Sequence, residues 1–244
     1  PASVKPSGYF TTVYNADGSQ GSMCGNGIRC VGKYVYDNGL TDKAEITVET
    51  LSGIKTLQLY PGSDGKVKTV RVNMGAPILQ PEQIPADIHA FKNAENLKNV
   101  DKLVAQPISV DGKDYEVTCV SMGNPNCVIM LERVDREKAL HLGPYVENAK
   151  YFPNRINMQL CQIVDEKNIQ VEIYERGAGY TFASGTGACA AAAASHRLGL
   201  VEDAVTVHMH GGDLFIEFEK DGRIFMTGPV VYIGKITVAE QFFA

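Results

Sequence analysis

The sequence predicts an α+β fold made of two similar domains, each a β-sheet or barrel wrapped around one central helix. Three observations support this prediction. A glycine-rich segment is repeated in the second half of the chain. A helical pattern follows each copy of that segment, and runs of β-forming residues separated by Asp-Gly turns fill most of the remaining chain.

The repeat has a constant offset and needs no gap. Each copy reads as strand, glycine-rich turn, helix, glycine stop and strand, and the Gly-Leu pair at the stop is typical of a left-handed helix C-cap. The matched positions are Tyr14, Cys24, Gly25, Gly27, Gly39, Leu40 and Ala44 with Tyr174, Ser184, Gly185, Gly187, Gly199, Leu200 and Ala204.

The two repeated helices have different compositions. In the first, Ile28, Val31 and Val35 fall on one face. The second contains the run Ala190 to Ala194, which forms helix readily and has little side-chain bulk. Other elements can approach such a helix closely, so we expect it to be central and buried.

Strands are predicted on both sides of the repeats. Asp64-Gly65, Asp111-Gly112 and Asp221-Gly222 are turn signals between them, and residues 77–102 are predicted to be a loop with a short helix. The predicted strands are residues 45–48, 66–72, 115–120, 127–131, 169–173, 204–209, 214–217 and 224–226.

The position of the repeats predicts the domain boundaries. We expect an N-terminal domain over residues 1–106, completed by residues 235–244, and a C-terminal domain over residues 107–234. Residues 107–173 can supply early strands to the second domain, whereas only residues 1–13 precede the first motif. We therefore expect that the first domain lacks roughly fifty N-terminal residues, given ordinary strand lengths.

Composition excludes several classes of protein. The net charge is −5 and there is no run of Lys or Arg, which argues against nucleic-acid binding. No apolar run reaches membrane-spanning length. The six cysteines form no CxxC pair, so we interpret them as reduced thiols of a cytosolic protein, each except Cys24 a small buried hydrophobe.

Each repeat places a nucleophile-type side chain, Cys24 or Ser184, just before a helix N-terminus. A helix start offers unpaired N–H groups and positive potential, and the glycines let a ligand approach. Two facing starts can hold a carboxylate and stabilise the enolate-like charge that forms when its α-proton leaves. The same potential favours a thiolate, so Cys24 is a candidate general base.

Other interpretations of the glycine motifs remain open. Each motif can be a strand-to-helix turn without a ligand. A phosphate loop is disfavoured because the usual lysine and hydroxyl are missing. A cysteine protease lacks an evident histidine partner for Cys24. A metal site is unsupported, because only His208 and His210 are close in sequence.

Several segments together resemble the diaminopimelate epimerase family. Residues 15–19 (NADGS) and 23–30 (MCGNGIRC) resemble its first active-site motif, and residues 175–179 (ERGAG) and 184–190 (SGTGACA) its second. Further segments that resemble the family are residues 121–125, 154–157, 211–212 and 227–229. The resemblance covers essentially the whole chain.

The resemblance implies a cofactor-independent isomerase that converts LL- to meso-diaminopimelate in lysine and cell-wall precursor synthesis. In this family two cysteines act on opposite faces of the substrate α-carbon, without pyridoxal phosphate or a metal, in a cytoplasmic homodimer. Cys24 matches one of them, Ser184 stands at the other position, and Glu175 matches an acid that assists a catalytic thiol. The implied substrate-binding residues are Asn15, Gly25, Asn26, Asn124, Asn157, Arg176, Gly185 and Thr186.

Three positions depart from the family pattern. Ser184 replaces a cysteine, Asn126 replaces a histidine and Tyr180 replaces a glutamate. Three changes around one site are typical of a natural subfamily. They leave two alternatives open, a racemase or isomerase of another amino acid and a non-catalytic ligand-binding paralogue.

Overall fold

The computed structural model describes residues 8–14, 18, 20–21, 23–92, 103–235, 237, 239 and 241. Its helices are α1 Gly25–Asp37, α2 Arg136–Glu147 and α3 Gly185–Arg197. Its strands are β1 Gly8–Phe10, β2 Val13–Tyr14, β3 Gln20–Gly21, β4 Glu45–Thr50, β5 Gly53–Pro61, β6 Val67–Gly75, β7 Gln106–Val110, β8 Lys113–Ser121, β9 Pro125–Met130, β10 Asn157–Asp165, β11 Asn168–Glu175, β12 Gly179–Thr181, β13 Ala204–His208, β14 Leu214–Phe218 and β15 Ile224–Pro229.

Most strands belong to one mixed sheet. Its order is β1-β4-β5-β6-β15-β14-β13-β11-β10-β9-β8-β7, with β12 paired to β11, while β2 and β3 form a separate two-stranded pair. The antiparallel pair β6–β15 joins the strands of the first repeat to those of the second. The predicted α+β class is confirmed. The boundary at residues 106 and 107 stays a prediction.

Helix α3 lies at the centre of the main hydrophobic core. Residues 188–194 are at most 4% exposed, and the helix packs against β8 to β11 and β13 to β15. Because these side chains are nearly all alanine, strands can approach the helix closely around its circumference. The predicted burial of this helix is confirmed.

Helix α1 is buried along one face only. Ile28 and Val35 pack in the same core, and the helix contacts β5 and β6. Tyr34, on the other face, is 63% exposed. The apolar stripe of the sequence therefore identifies the inner face correctly, but within the described residues α1 is not enclosed as α3 is.

The geometry of the two helices follows the repeat. Both have 13 residues and both begin at a capped glycine turn. They end in the same left-handed turn, with φ of 70° at Gly39 and 71° at Gly199. Leu40 and Leu200 follow but remain exposed, so the expected hydrophobic contact of the cap contributes little.

All eight predicted strands are present, with ends shifted by a few residues. Strands β1, β3, β5, β7, β10 and β12 and helix α2 were not predicted from the sequence. Pro144 lies inside α2 and obscures it in the sequence. The helix is favoured by packing: Gly143 lies so close to Tyr174 of β11 that an added Cβ would overlap the tyrosine ring. A second core fills the space between α2 and β7 to β10.

The loop predicted over residues 77–102 contains two short 3-10 helices, Pro81–Gln83 and Ile88–Ala90. Residues 93–102 lie outside the described part of the chain. An isolated bridge between Ile78 and Ser121 ties the start of this loop to the end of β8.

We expect Ala192→Leu to destabilise the protein by about 1–3 kcal/mol, because α3 has no room for three more carbon atoms. Arg197→Leu, on the exposed last turn of the same helix, is the control and should change stability by less than about 0.5 kcal/mol. Denaturant unfolding of both variants measures the difference. Equal effects would mean that α3 is not packed as described.

Candidate active site

The starts of α1 and α3 meet at their first residues, Gly25 and Gly185. A Cβ added to Gly25 would lie 3.3 Å from the Cα of Gly185, and a Cβ on Gly185 would lie 3.2 Å from the Cα of Gly25. Met226 of β15 packs beside both, 3.1 Å from the Cβ position of Gly185. Only glycine at both positions lets the two helix starts come this close.

The residues before these glycines cap the two helices in the same way. The Cys24 Sγ and the Ser184 Oγ each accept a hydrogen bond at 3.3 Å, from the backbone N–H of Gly27 and of Gly187. Both cap residues have the extended backbone that an N-cap requires. Within the described part of the chain, four backbone N–H groups of the first turns have no partner: Gly25, Asn26, Gly185 and Thr186.

A cavity of about 550 Å³ opens at the junction of the two helices. Every predicted site residue that the structure describes lines this cavity. Asn15, the remaining one, lies outside the described residues. The predicted residues that line the cavity are Cys24, Ser184, Glu175, Gly25, Asn26, Asn124, Asn157, Arg176, Gly185 and Thr186.

Hydrogen bonds fix the polar side of the cavity. The Asn157 Oδ1 accepts from the backbone N–H of Arg176 at 2.8 Å. The Arg176 guanidinium donates to the carbonyl of Asn154 at 3.0 Å. The Asn124 amide donates to the Thr186 hydroxyl at 3.1 Å and so joins the turn after β8 to the start of α3.

Asn126, one of the three departures from the family pattern, does not line the cavity. It is fully buried behind Asn124. Its Nδ2 donates to the backbone carbonyls of Asn124 and Val120, and its Oδ1 accepts from the side chains of Gln159 at 3.0 Å and Asn157 at 3.4 Å. Because the amide group sits between fixed carbonyls and fixed donors, its orientation is determined.

Tyr180, the second of these positions, also lies outside the cavity lining. Its hydroxyl donates to the buried carboxylate of Glu172 at 2.6 Å. Burial and this carboxylate raise the pKa of Tyr180 well above its ordinary value. The Arg136 guanidinium of α2 lies over the ring, 5.4 Å from its centre. Only Ser184, of the three, lines the cavity.

Residues 2–80 and 118–233 match the diaminopimelate epimerase family. The chain belongs to this family. It is 46% identical over 233 residues to a diaminopimelate epimerase from Acetivibrio thermocellus, covering 93% of this chain and 79% of the relative. A diaminopimelate epimerase from Leptospira biflexa is 43% identical over 228 residues, with 93% of this chain and 78% of the relative covered.

Solved structures with lower sequence identity share the fold. A probable proline racemase from Agrobacterium radiobacter superposes with a TM-score of 0.69 at 15% identity, over 98% of this chain and 74% of the other. A hydroxyproline epimerase from Agrobacterium vitis gives 0.65 at 12% identity, over 90% and 67%. The predicted diaminopimelate epimerase-like fold is therefore confirmed.

Two supporting residues of this family site were not anticipated from the sequence. Met226 packs against both helix starts, and Gln159 lies behind α3 with its Nε2 3.2 Å from the Cβ position of Gly187. Gln159 is fully buried, and its Oε1 has no hydrogen-bond partner among the described residues. The signal for Gln159 is a polar residue at an inward position of a buried strand. Met226 gave no signal, because methionine is an ordinary core residue.

The other cysteines have no part in the cavity lining. Cys119 and Cys127 are buried opposite each other on β8 and β9, and the contact with Cys119 together with burial raises the pKa of Cys127. Burial raises the pKa of Cys161 and of Cys189 to about 12. These four are the small buried residues that we expected. For Cys30 that expectation is wrong, because it lies on the exposed side of α1.

The histidines considered for a metal site have other contacts. His208 meets Asp213 at 2.9 Å and Asn168 at 3.0 Å through its two ring nitrogens, and His210 lies beside the ring of Phe182. In the described part of the chain, no three His, Cys, Asp or Glu side chains are grouped so as to hold a metal ion. None of the described helices is long and apolar enough to cross a membrane.

We expect Asn126→Leu to destabilise the protein by about 1–3 kcal/mol, because the amides of Gln159 and Asn157 would lose a buried acceptor. The double variant Asn126→Leu/Gln159→Leu should recover part of that loss, since it removes one of the unpaired donors as well. Denaturant unfolding of the two single variants and the double variant gives the coupling energy. Strictly additive losses would contradict the network.

Proposed function

We propose that this chain is an isomerase that converts LL- to meso-diaminopimelate without a cofactor. One face of the α-carbon loses its proton, and the other face receives one. Membership of the family and the named relatives support this proposal. The observation that carries it is the placement of Cys24 and Ser184, which cap two abutting helix starts and line one cavity.

The α-carboxylate of the substrate is held by the backbone N–H groups of Gly25, Asn26, Gly185 and Thr186, which have no partner among the described residues. Two helix N-termini contribute positive partial charge at the same place. When the α-proton leaves, negative charge spreads onto this carboxylate. The same donors then bind the charge more strongly than they bind the ground state, which lowers the barrier.

Cys24 is the base that removes the α-proton, and Ser184 delivers a proton to the opposite face. Glu175, which lines the cavity, assists a proton transfer. A thiolate is a competent base near neutral pH, whereas an alcohol is a poor one, so the two cap residues have different roles.

The far end of the cavity binds the second amino-acid group of the substrate. Arg176 suits a distal carboxylate because a guanidinium fork binds both oxygens. Asn124 and Asn157 support it with amide groups held in fixed orientations. Asn15 completes this set by its match to the family motif.

Family resemblance also supports a cytoplasmic homodimer that acts in lysine biosynthesis. We assign residues 1–106 together with 235–244 to the first domain and residues 107–234 to the second. The identical lengths of α1 and α3 support two pseudo-symmetric units.

We expect the chain to exchange the α-proton of LL- and meso-diaminopimelate in heavy water and to interconvert the two isomers. The Cys24→Ala variant should abolish this exchange, because it removes the base. NMR follows both the α-proton signal and the stereochemistry. Cys30→Ser, which removes an exposed cysteine outside the cavity, is the matched control and should leave exchange intact.

The outcomes separate the candidate functions. Exchange of an amino acid without a distal carboxylate, and none of diaminopimelate, would assign the chain to another racemase. Tight binding of diaminopimelate without exchange, in the wild type and in Ser184→Cys, would identify a non-catalytic paralogue. Exchange gained only with Ser184→Cys would place the deficit at the serine.

We expect Arg176→Gln to lower kcat/KM for diaminopimelate by about 10- to 100-fold, because a charge-assisted hydrogen bond to the distal carboxylate is lost. Arg155→Gln is the control: Arg155 is a nearby arginine that pairs with Glu147 and does not line the cavity. Steady-state kinetics compare the two. An equal effect of both variants would remove Arg176 from the binding role.

A further inference from the structure

Arg29 is a buried cation directly behind the Cys24 helix start. It lies on the first turns of α1 and is 8% exposed. Its Nη1 donates to the carbonyl of Gly25 at 3.0 Å, and its Nε donates to the carbonyl of Pro229 at 3.4 Å. No described carboxylate forms an ion pair with it. A buried guanidinium that contacts only neutral carbonyls retains an uncompensated charge.

Gly228, at the end of β15, lies directly against the Arg29 side chain. A Cβ on Gly228 would overlap the side chain of Leu214 and would lie 3.1 Å from the Cζ and the Nε of Arg29, so glycine at this position leaves room for both side chains. Gly228 and Pro229 belong to the family segment 227–229 at the end of β15. Through Arg29 this segment is connected to the start of α1.

The charged and titratable groups around Arg29 are mostly thiols. Burial lowers the pKa of the Arg29 guanidinium, and the nearby Cys30, Cys24 and Cys189 oppose that change when they carry negative charge. Asp213 lines the same small cavity of about 230 Å³ as Arg29. That carboxylate is exposed and already pairs with a histidine ring.

The other charged groups that share the cavity with Cys24 come from the end of β11 and the residue that follows it. Glu175 and Arg176 line the active-site cavity with it. They have opposite charges, and the Arg176 guanidinium is hydrogen-bonded to the carbonyl of Asn154. Cys189 is buried in α3 with a strongly raised pKa and stays a neutral thiol.

We infer that Arg29 is a positioning residue whose buried charge stabilises the Cys24 thiolate and whose bonds to two carbonyls hold the first turn of α1 in place. This role of Arg29 rests on the proposed function only where Cys24 is taken as the base. A buried cation without a carboxylate is costly, and this cost falls when an anion forms nearby. The Cys24 thiolate and a bound carboxylate are the anions that the site provides.

The test is the pH dependence of Cys24 alkylation by iodoacetamide, measured without substrate. A Cys30→Ser background removes the second accessible thiol. In this background Arg29→Gln should alkylate about three- to tenfold more slowly at neutral pH, with the rate curve moved to higher pH, because the thiolate loses its cation. Arg29→Lys should retain most of the wild-type rate while it loses the two-carbonyl geometry.

Lys33→Gln is the matched control, because Lys33 lies on the same helix, donates to the Val67 carbonyl and is already neutralised by Asp37 at 2.7 Å. It should lower stability without moving the alkylation curve. Arg29→Met, which leaves no buried donor, replaces Arg29→Gln if that variant does not fold.

An unchanged curve in a folded Arg29→Gln or Arg29→Met protein would overturn the inference. Alkylation needs no turnover, so a chain that epimerises no substrate leaves this result valid.

Discussion

The contact between Gly25 and Gly185 is the constraint on which the site depends. It brings together two helix ends that both carry positive partial charge, an arrangement that is unfavourable without a counter-charge. The packing of the surrounding core offsets this electrostatic repulsion, because the core encloses α3 and fixes α1 against β5 and β6. The result is a place where an anion is bound by groups that need no rearrangement, which is the condition for electrostatic stabilisation of a developing charge.

The parts of this site that are local in sequence could be predicted. A cysteine or serine before Gly-x-Gly at a helix start determines the cap, and both caps have the expected geometry. The alanine run determines the burial of α3. Distances between the repeats could not be predicted, because they depend on the β6–β15 pairing, which joins residues far apart in sequence. Helix α2 was missed for a similar reason, since packing on Tyr174 stabilises it despite Pro144.

The buried amide network explains how Asn126 can stand where the family pattern has a histidine. The carbonyls of Val120 and Asn124 orient its amide group, and its Oδ1 then orients Asn157, which accepts from the backbone of Arg176. A histidine at this position could exchange a proton near neutral pH, whereas an amide cannot. Asn126 therefore maintains the geometry of the cavity wall and leaves proton transfer to the groups that line the cavity.

The pairing of a thiol with an alcohol makes the two faces of the site unequal. Ser184 accepts from the Gly187 N–H, and the Thr186 hydroxyl approaches it at 3.5 Å. Thr186 in turn accepts from the Asn124 amide, so the serine belongs to a short chain of polar groups that starts in the turn after β8. Under the proposed function Ser184 is the proton donor, and the Gly187 N–H that it accepts from is in place to stabilise the oxygen that remains. An alkoxide is far less stable than a thiolate, so the serine must be reprotonated as it donates. Cys24 and Ser184 line one cavity, so the proton that Cys24 removes stays in the same site as the serine that has to be reprotonated.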